Sequence, residues 1–472
     1  MSADIITAIH SPALFKPWFR DIATWRPWLT CLRAIFALPM DEADRAIFIE
    51  CTGRTAPPAT PVTEAWLCVG RRGGKSQMLA TIAVYLAVFI DWSSNIVPGE
   101  SATIQVIACD RRQARIIYRY ARAMLTRTPA LSHLVAREDG DIIELTNGLT
   151  LEITTASFRS VRGYTIVAAL CDEIAFWRFD DGAANPDREI LDALRPSMAT
   201  VPGALLLCAS SPYAKKGVLH QAHRTHYGQD NSNVLVWQAP TQTMNPTVPQ
   251  WIIKEAYERD PASAAAEYGA QFRDDIASFV AREVIDACTI PGRFELPKLP
   301  RYRYVAFADP SGSSSDSMTL AIAHVEGERY DIGVLDAVRE IRPPFSPESA
   351  VKEFADLLTR YDISTVEGDR YAGEWVREPF KTHGISYTIA EKPKSDLYRD
   401  ALPLLNSGKI ELLDHPRLAS QLGNLERRTA RGGRDSIDHP PGAHDDIANS
   451  ACGALLRAVK DSRGIGIWER LI

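Results

Sequence analysis

The segment Val69-Gly70-Arg71-Arg72-Gly73-Gly74-Lys75-Ser76 decides how the first half of the chain is read. Before it, Ala65–Val69 is a short apolar run with the character of a strand; after it, Lys75–Phe89 reads as a buried helix. A glycine-rich turn between strand and helix is the context of a P-loop, G-x-x-x-x-G-K-[ST], whose backbone N–H groups and helix N-terminus hold phosphate. Gly70, Arg71, Arg72, Gly73 and Gly74 then form the cradle, Lys75 reaches the β- and γ-phosphates of ATP, and Ser76 ligates Mg²⁺. Val69 stands where the pattern has its first glycine. Arg71 and Arg72 are candidates for stabilising a transferred phosphate, although a loop arginine is as often simply solvated.

Working outward, short apolar strands alternate with helices: strand Thr103–Cys109, helix Arg111–Thr126, a β-rich patch at Ile142–Thr155, strands Ile166–Cys171 and Ala204–Ala209. This alternation predicts an α/β fold with a parallel sheet and helices on both faces. The run Thr165–Cys171 ends in Asp172-Glu173, at the strand end where open α/β sheets bind ligands. Asp172 is expected to hold Mg²⁺ through water, and Glu173 to orient and deprotonate the attacking water. Ser210, in Ser210-Ser211-Pro212 after the next strand, is placed to sense the γ-phosphate, although such a tripeptide alone is an ordinary turn. Arg111, Arg115, Arg119 and Arg122 form one helical stripe, with Ile116, Ile117 and Tyr120 expected toward the core. A solvated face is the commoner meaning of such a stripe; the sharper one is a contact to DNA phosphate or to a neighbouring subunit's nucleotide.

A second pattern begins near residue 301. Strands Tyr304–Ala308, Thr319–Val325 and Tyr330–Val338 precede helix Pro347–Thr359 and strand Thr365–Gly368, the opening order of an RNase H-like fold. The first strand delivers Asp309, the later one Asp369, and His444-Asp445-Asp446 opens an apolar helix at Ile447–Val459. Any one of these carboxylates is more often a turn or N-cap residue. Together, Asp309, Asp369, Asp445 and Asp446 form an oxygen-only set suited to hard cations such as Mg²⁺ or Mn²⁺ and to phosphodiester cleavage. Asp445 and Asp446 compete for the principal role. Glu367 is a further candidate; Asp316 and His444 are weaker ones. Lys392, Lys394, Arg427, Arg428, Arg431 and Arg434 could grip DNA phosphates, although basic loops are usually just solvated.

Composition narrows the class. The chain has 472 residues, a length that suits two domains. No apolar run reaches the roughly 20 residues of a bilayer span, so no membrane partner is expected. The start, Met1-Ser2-Ala3-Asp4, does not read as a signal peptide. Eight cysteines occur without any CxxC pair, which argues against a zinc or disulfide framework and for a reducing compartment. The net charge of −6 means that any DNA contact must come from local basic patches.

Taken together, Gly70–Ser76, Arg162-Gly163-Tyr164 with Cys171–Trp177, Ser210–Tyr213, Gly368-Asp369-Arg370-Tyr371-Ala372-Gly373 and His444-Asp445-Asp446 resemble the motifs of the large subunit of tailed-bacteriophage terminases. The resemblance runs from about Phe15 to the helix after Asp446. It implies an ASCE/RecA-like ATPase domain followed by an RNase H-like nuclease domain. The expected division is 1–60, an N-terminal helical segment of the ATPase domain; 61–275, the P-loop ATPase domain; 276–300, a linker; and 301–472, the nuclease domain. It implies ATP-driven translocation of double-stranded DNA and metal-dependent cleavage of concatemers. Lys75, Ser76, Asp172 and Glu173 would carry ATP hydrolysis, and Asp309, Asp369 and Asp446 cleavage. The implied partners are the procapsid portal protein, a small terminase subunit and further copies in a ring, commonly a pentamer. The implied location is the host cytoplasm and, transiently, the portal vertex, not the mature virion. The family's adenine-contacting motif lies in the N-terminal segment, with no residue assigned here. Two other readings are weaker. A helicase fused to a nuclease needs a second RecA-like domain of roughly 150 residues, more than the interval from Pro212 to Pro300 holds. A non-cleaving DNA binder predicts gaps among the carboxylates, and none is missing.

Overall fold

The structure, a computed structural model, describes residues 3–96, 101–156, 165–177, 186–310, 316–327, 331–369, 376–429, 435–440 and 443–468. Arg162-Gly163-Tyr164, Arg370–Gly373, Arg431 and Arg434 lie outside the described residues. Two compact units are formed, one by Met1–Arg178 with Asn185–Asp274, the other by Phe179–Ala184 with Asp275–Ile472.

The first unit is built on eight strands: β1 (Glu64–Val69), β2 (Ala102–Ala108), β3 (Val135–Asp139), β4 (Ile142–Leu145), β5 (Leu149–Thr155), β6 (Thr165–Asp172), β7 (Leu205–Ser210) and β8 (Val234–Ala239). Their order is β3-β4-β5-β2-β6-β7-β1-β8. From β5 to β8 every pairing is parallel. The hairpin β3-β4-β5 adds an antiparallel edge. The central strands read as unbroken apolar runs because both faces are covered; every residue of β2 and β7 is buried. Charged β3, exposed along most of its length, blunts the free edge. One strand, β7, separates β1 from β6, the ASCE order. Helix Arg111–Arg127 buries Ala114, Ile117, Ala121, Met124 and Leu125. Ile116 and Tyr120, expected in the core, are 42% and 38% exposed. Alanines at 114 and 121 take the inner positions one turn to either side of Ile117, which rotates both larger side chains into solvent among the arginines.

The second unit begins with β9 (Ile276–Ser278), followed by β10 (Val305–Asp309), β11 (Met318–Glu326), β12 (Ile332–Ile341), β13 (Thr365–Gly368), β14 (Ser386–Ile389), β15 (Ile410–Glu411), β16 (Glu426–Thr429) and β17 (Asp435–Asp438). The six-stranded sheet has the order β14-β13-β10-β11-β12-β15. Antiparallel β10, β11 and β12 are joined by β13 lying parallel beside β10, as an RNase H-like fold requires. Helix Pro347–Arg360 packs on one face with Phe354, Leu357 and Leu358. The other face carries Asp446–Trp468, Lys394–Asn406 and Pro416–Asn424. Residues 276–300, expected as a linker, are folded into this unit instead. Strand β9 pairs with β16, and helix Arg282–Cys288 buries Ile285 and Cys288 in its core. Among the described residues no helix is long and apolar enough to cross a membrane.

Candidate active sites

In the first unit, the turn after β1 is fastened from outside. Trp28 Nε1 donates to Gly73 O at 2.6 Å, Thr241 Oγ1 to Arg71 O at 2.7 Å and Asn245 Nδ2 to Arg72 O at 2.8 Å. Three consecutive carbonyls are thus occupied by side chains, while the Gly70, Arg71 and Gly73 amides donate to the carbonyls of Ala239, Glu267 and Gly70. Gly74 has φ of 94°, a region open to glycine, and a Cβ there would crowd the Trp25 ring. Arg72 also takes a positive φ, 64°. Arg71, a candidate for touching phosphate, pairs with Glu267 at 3.2 Å.

Lys75 opens the helix and is 5% exposed. Its Nζ donates to Val69 O at 3.0 Å and Ser211 Oγ at 2.9 Å, and lies 3.2 Å from Glu173 Oε1. Ser76 Oγ donates to Asp172 Oδ2 at 3.4 Å. The second Asp172 oxygen is buried with no hydrogen-bond partner. Burial, reinforced by the neighbouring Glu173 charge, pushes the Asp172 carboxyl up to about 7. Glu173 sits at φ 50°, a left-handed conformation costly for a residue with a Cβ. Its Oε2 accepts from Ser210 Oγ at 3.0 Å and from Ser211 N at 3.2 Å. The structure therefore gathers Lys75, Ser76, Asp172, Glu173 and Ser210 in one place.

In the second unit, the register Ala308↔Gly368 sets Asp309 and Asp369 side by side at the ends of parallel β10 and β13. The approach needs glycines. A Cβ on Gly368 would strike Tyr387 and Ala308 O, and one on Gly453 would strike the Phe307 ring. Gly453 lets the last helix lie close to β10, which delivers Asp446 and Asn449. Asn449 Nδ2 bridges the two carboxylates, donating to Asp309 Oδ2 at 2.8 Å and Asp369 Oδ2 at 3.2 Å. Asn449 Oδ1 is buried without a partner. Asp446 Oδ2 accepts from Ser317 N at 3.2 Å, and Asp446 O from Thr319, the cross-strand neighbour of Asp309. Burial, aided by the charges of Asp446, Asp369 and Asp445, raises the Asp309 carboxyl well above its ordinary range against the Asn449 hydrogen bond. Burial and the adjacent Asp445 push Asp446 up to about 6.

Asp445 has other company. Its Oδ2 accepts from Tyr398 OH at 2.9 Å and from Lys394 Nζ at 3.2 Å. Lys394 also reaches Asp438 at 2.7 Å, so its ammonium sits against the tight cluster of Asp438, His439 and Asp445. Glu367 faces Arg457 at 3.6 Å, and His444 faces Asp316 at 3.4 Å. Lys392 pairs with Asp400, Arg427 with Asp435 and Arg428 with Glu426. Sequence reasoning missed Asn449, which lies three residues after Asp446 on the same helical face, a spacing that could have revealed it. It also missed Trp28, Thr241 and Asn245, for which no local signal exists.

No protein-family model matches the sequence, and no curated protein does. Among solved structures, the crystal structure of the HK97 bacteriophage large terminase is similar, with 17% identity and a TM-score of 0.39 over 91% of this chain and 99% of that one. The large terminase of a thermophilic bacteriophage in complex with ADP gives 11% and 0.37, over 84% of this chain and 95% of that one. The large terminase nuclease of thermophilic phage G20c with bound magnesium gives 18% and 0.31, over 37% of this chain and 95% of that one.

Proposed function

We propose that this chain is a DNA-packaging motor of the large terminase kind, joining an ATPase to a metal-dependent DNA endonuclease. The observation that carries the reading is two separate clusters of side chains, one per unit: Lys75, Glu173 and Ser210 after β1, β6 and β7, and Asp309 and Asp369 at the ends of β10 and β13 with Asp446 at the start of the last helix. Both clusters fit hard divalent cations. Ser76 and Asp172 offer adjacent oxygens, one of them buried and unpartnered, and the second site offers three carboxylates and the unpartnered Asn449 Oδ1. Ser76 and Asp172 would hold Mg²⁺ with ATP; Asp309, Asp369 and Asp446 would hold Mg²⁺ or Mn²⁺, with Asp445 behind them. When bound, such ions supply positive charge to the reacting phosphate and acidify water.

The chain's own groups do the rest. Lys75 exchanges Val69 O and Glu173 for phosphate oxygens, leaving Glu173 to accept a proton from water. Ser210 keeps hold of the Glu173 carboxylate and couples it to the end of β7. Asn449 fixes the spacing of Asp309 and Asp369, and Lys394 neutralises Asp445. Arg111, Arg115 and Arg119, all exposed, offer phosphate contacts to double-stranded DNA or to a neighbouring copy. The finer expectations belong to the same proposal: a portal, a small subunit, a pentameric ring, and action in the host cytoplasm at a portal vertex. A purified chain given supercoiled plasmid should cut it in Mg²⁺ or Mn²⁺ and not in EDTA, and should hydrolyse ATP. Binding of DNA without cutting in either metal would return the reading to a non-cleaving DNA binder.

A further inference from the structure

In the second unit, Asp309 and Asp369 are placed by the register of β10 and β13, but Asp446 comes from a different element, the last helix. Its aim needs separate fastening, and the fold supplies it from two sides. Ser317 N donates to Asp446 Oδ2 at 3.2 Å, and the Ser317 hydroxyl donates to Glu340 Oε1 at 2.9 Å. Glu340 lies on β12 opposite Thr319, which is itself opposite Asp309. The same Glu340 Oε1 accepts from Arg417 Nη2 at 2.9 Å, while Oε2 accepts from Arg342 Nε at 3.2 Å. The Glu340 and Arg417 side chains are only 9% and 12% exposed.

Arg417 stands on helix Pro416–Asn424, and Gln421 follows one turn later on the same face. Gln421 Oε1 accepts from Ala448 N at 3.0 Å, one of the first-turn amides that the last helix cannot satisfy by itself. One short helix thus grips the main chain beside Asp446 through Gln421, and the Asp446 carboxylate through the relay Arg417–Glu340–Ser317. A buried ion pair alone is poor evidence of stabilisation, since well-packed apolar side chains often do as well. Here the shared Oε1 ties the pair to the residue whose amide holds Asp446.

We propose that Ser317, Glu340, Arg417 and Gln421 are positioning residues for strand cleavage, which fix the Asp446 carboxylate so that it acts together with Asp309 and Asp369 on one set of divalent cations. The inference rests on the nuclease reading of those three carboxylates. None of the four positioning residues needs to touch DNA or metal.

The test compares the full chain with Ser317→Ala, Gln421→Ala and Glu340→Gln in three readouts: Mn²⁺ binding without DNA or nucleotide, counted as the part lost in Asp446→Asn; kcat and KM for plasmid cleavage; and the melting temperature. Ser317→Ala removes one oxygen and leaves the ion pair whole, so the fold is kept. Ser317→Ala and Gln421→Ala should each weaken Mn²⁺ binding and lower kcat on the order of tenfold, the usual effect of losing a hydrogen bond behind a metal ligand. KM for DNA and ATP hydrolysis should not change. Glu340→Gln keeps an acceptor for the Ser317 hydroxyl but removes the charge facing Arg417. It should lose more melting temperature than Ser317→Ala and less Mn²⁺ affinity. A purely structural role predicts the opposite order, with affinity lost in step with stability, and that result would overturn the proposal. So would Ser317→Ala and Gln421→Ala proteins that bind Mn²⁺ and cut as the wild type does, with the nuclease reading left standing. A wild type that cuts nothing, or whose Mn²⁺ binding survives Asp446→Asn intact, would overturn the nuclease reading and the positioning role with it.

Discussion

Asp445 and Asp446 show what a residue's neighbours add to its letter. Asp445 lies just before the last helix and Asp446 opens it, and the sequence offers no ground for choosing between them. The fold turns Asp446 toward Ser317 and the Asp309 strand, and Asp445 toward Lys394 and Tyr398. Asp446→Asn should therefore abolish plasmid cleavage. Asp445→Asn should chiefly lower stability, by about 1–3 kcal/mol in chemical denaturation, because it weakens a buried charged hydrogen-bond network. Asn449 holds two carboxylates at one amide nitrogen. Asn449→Ala should slow cleavage by about 10- to 100-fold, the kinetic equivalent of losing charged hydrogen bonds, with ATP hydrolysis unchanged. It should also lower the melting temperature without divalent ions, and Mg²⁺ should recover part of the loss. Lys75, Ser76, Asp172 and Glu173 were legible because a phosphate loop and a carboxylate-ended strand are local patterns. Asn449 was not, because its role exists only once the last helix meets β10.

Helices and strands were legible where periodicity is strong, and misread where side-chain size decides the facing. Ile116 and Tyr120 fit an apolar stripe in the sequence, yet the packed face of their helix is set by Ala114 and Ala121. Residues 276–300 read as a linker because β9 is three residues long and its partner β16 lies far along the chain. Close packing at Gly453 gives an element-level prediction. Gly453→Ala should cost about 1–3 kcal/mol through overpacking against Phe307, and should lower cleavage without touching ATP hydrolysis. The β11–β12 pair supplies a pH dependence. His324 Nδ1 lies 2.8 Å from Asp336 Oδ2 and its Nε2 3.0 Å from Glu326 Oε1. Burial opposes its charge, but hydrogen bonds and charge from Asp336 and Glu326 prevail and raise its pKa above 6.5. A raised histidine stabilises fully below its unfolded pKa and loses that contribution as pH rises through the folded value. The melting temperature should accordingly fall as pH climbs from about 6 to 9, and His324→Gln should flatten that slope. An unchanged slope in the variant would remove His324 from the account.

For the molecule as a whole, the chain-order alternation of strands and helices made both sheets readable, while the glycine-dependent approaches that finish each site were not. The second unit owns its sheet, its two cores and all four candidate carboxylates. Residues 275–472 alone should therefore fold and cut plasmid in Mg²⁺ or Mn²⁺ with no ATPase activity, which circular dichroism and a cleavage assay would check. The net charge of −6 makes DNA contact a matter of local basic patches, and cleavage should weaken steeply as salt rises. The central claim is that one chain carries two separable phosphate-chemistry sites. The most direct test compares plasmid cleavage and ATP hydrolysis by wild type, Lys75→Ala and Asp369→Ala under one set of conditions. Lys75→Ala should lose ATP hydrolysis and keep cleavage, and Asp369→Ala should do the reverse. Loss of both activities from either single substitution in a folded protein, or a wild type that cuts nothing in Mg²⁺ or Mn²⁺, would contradict the account.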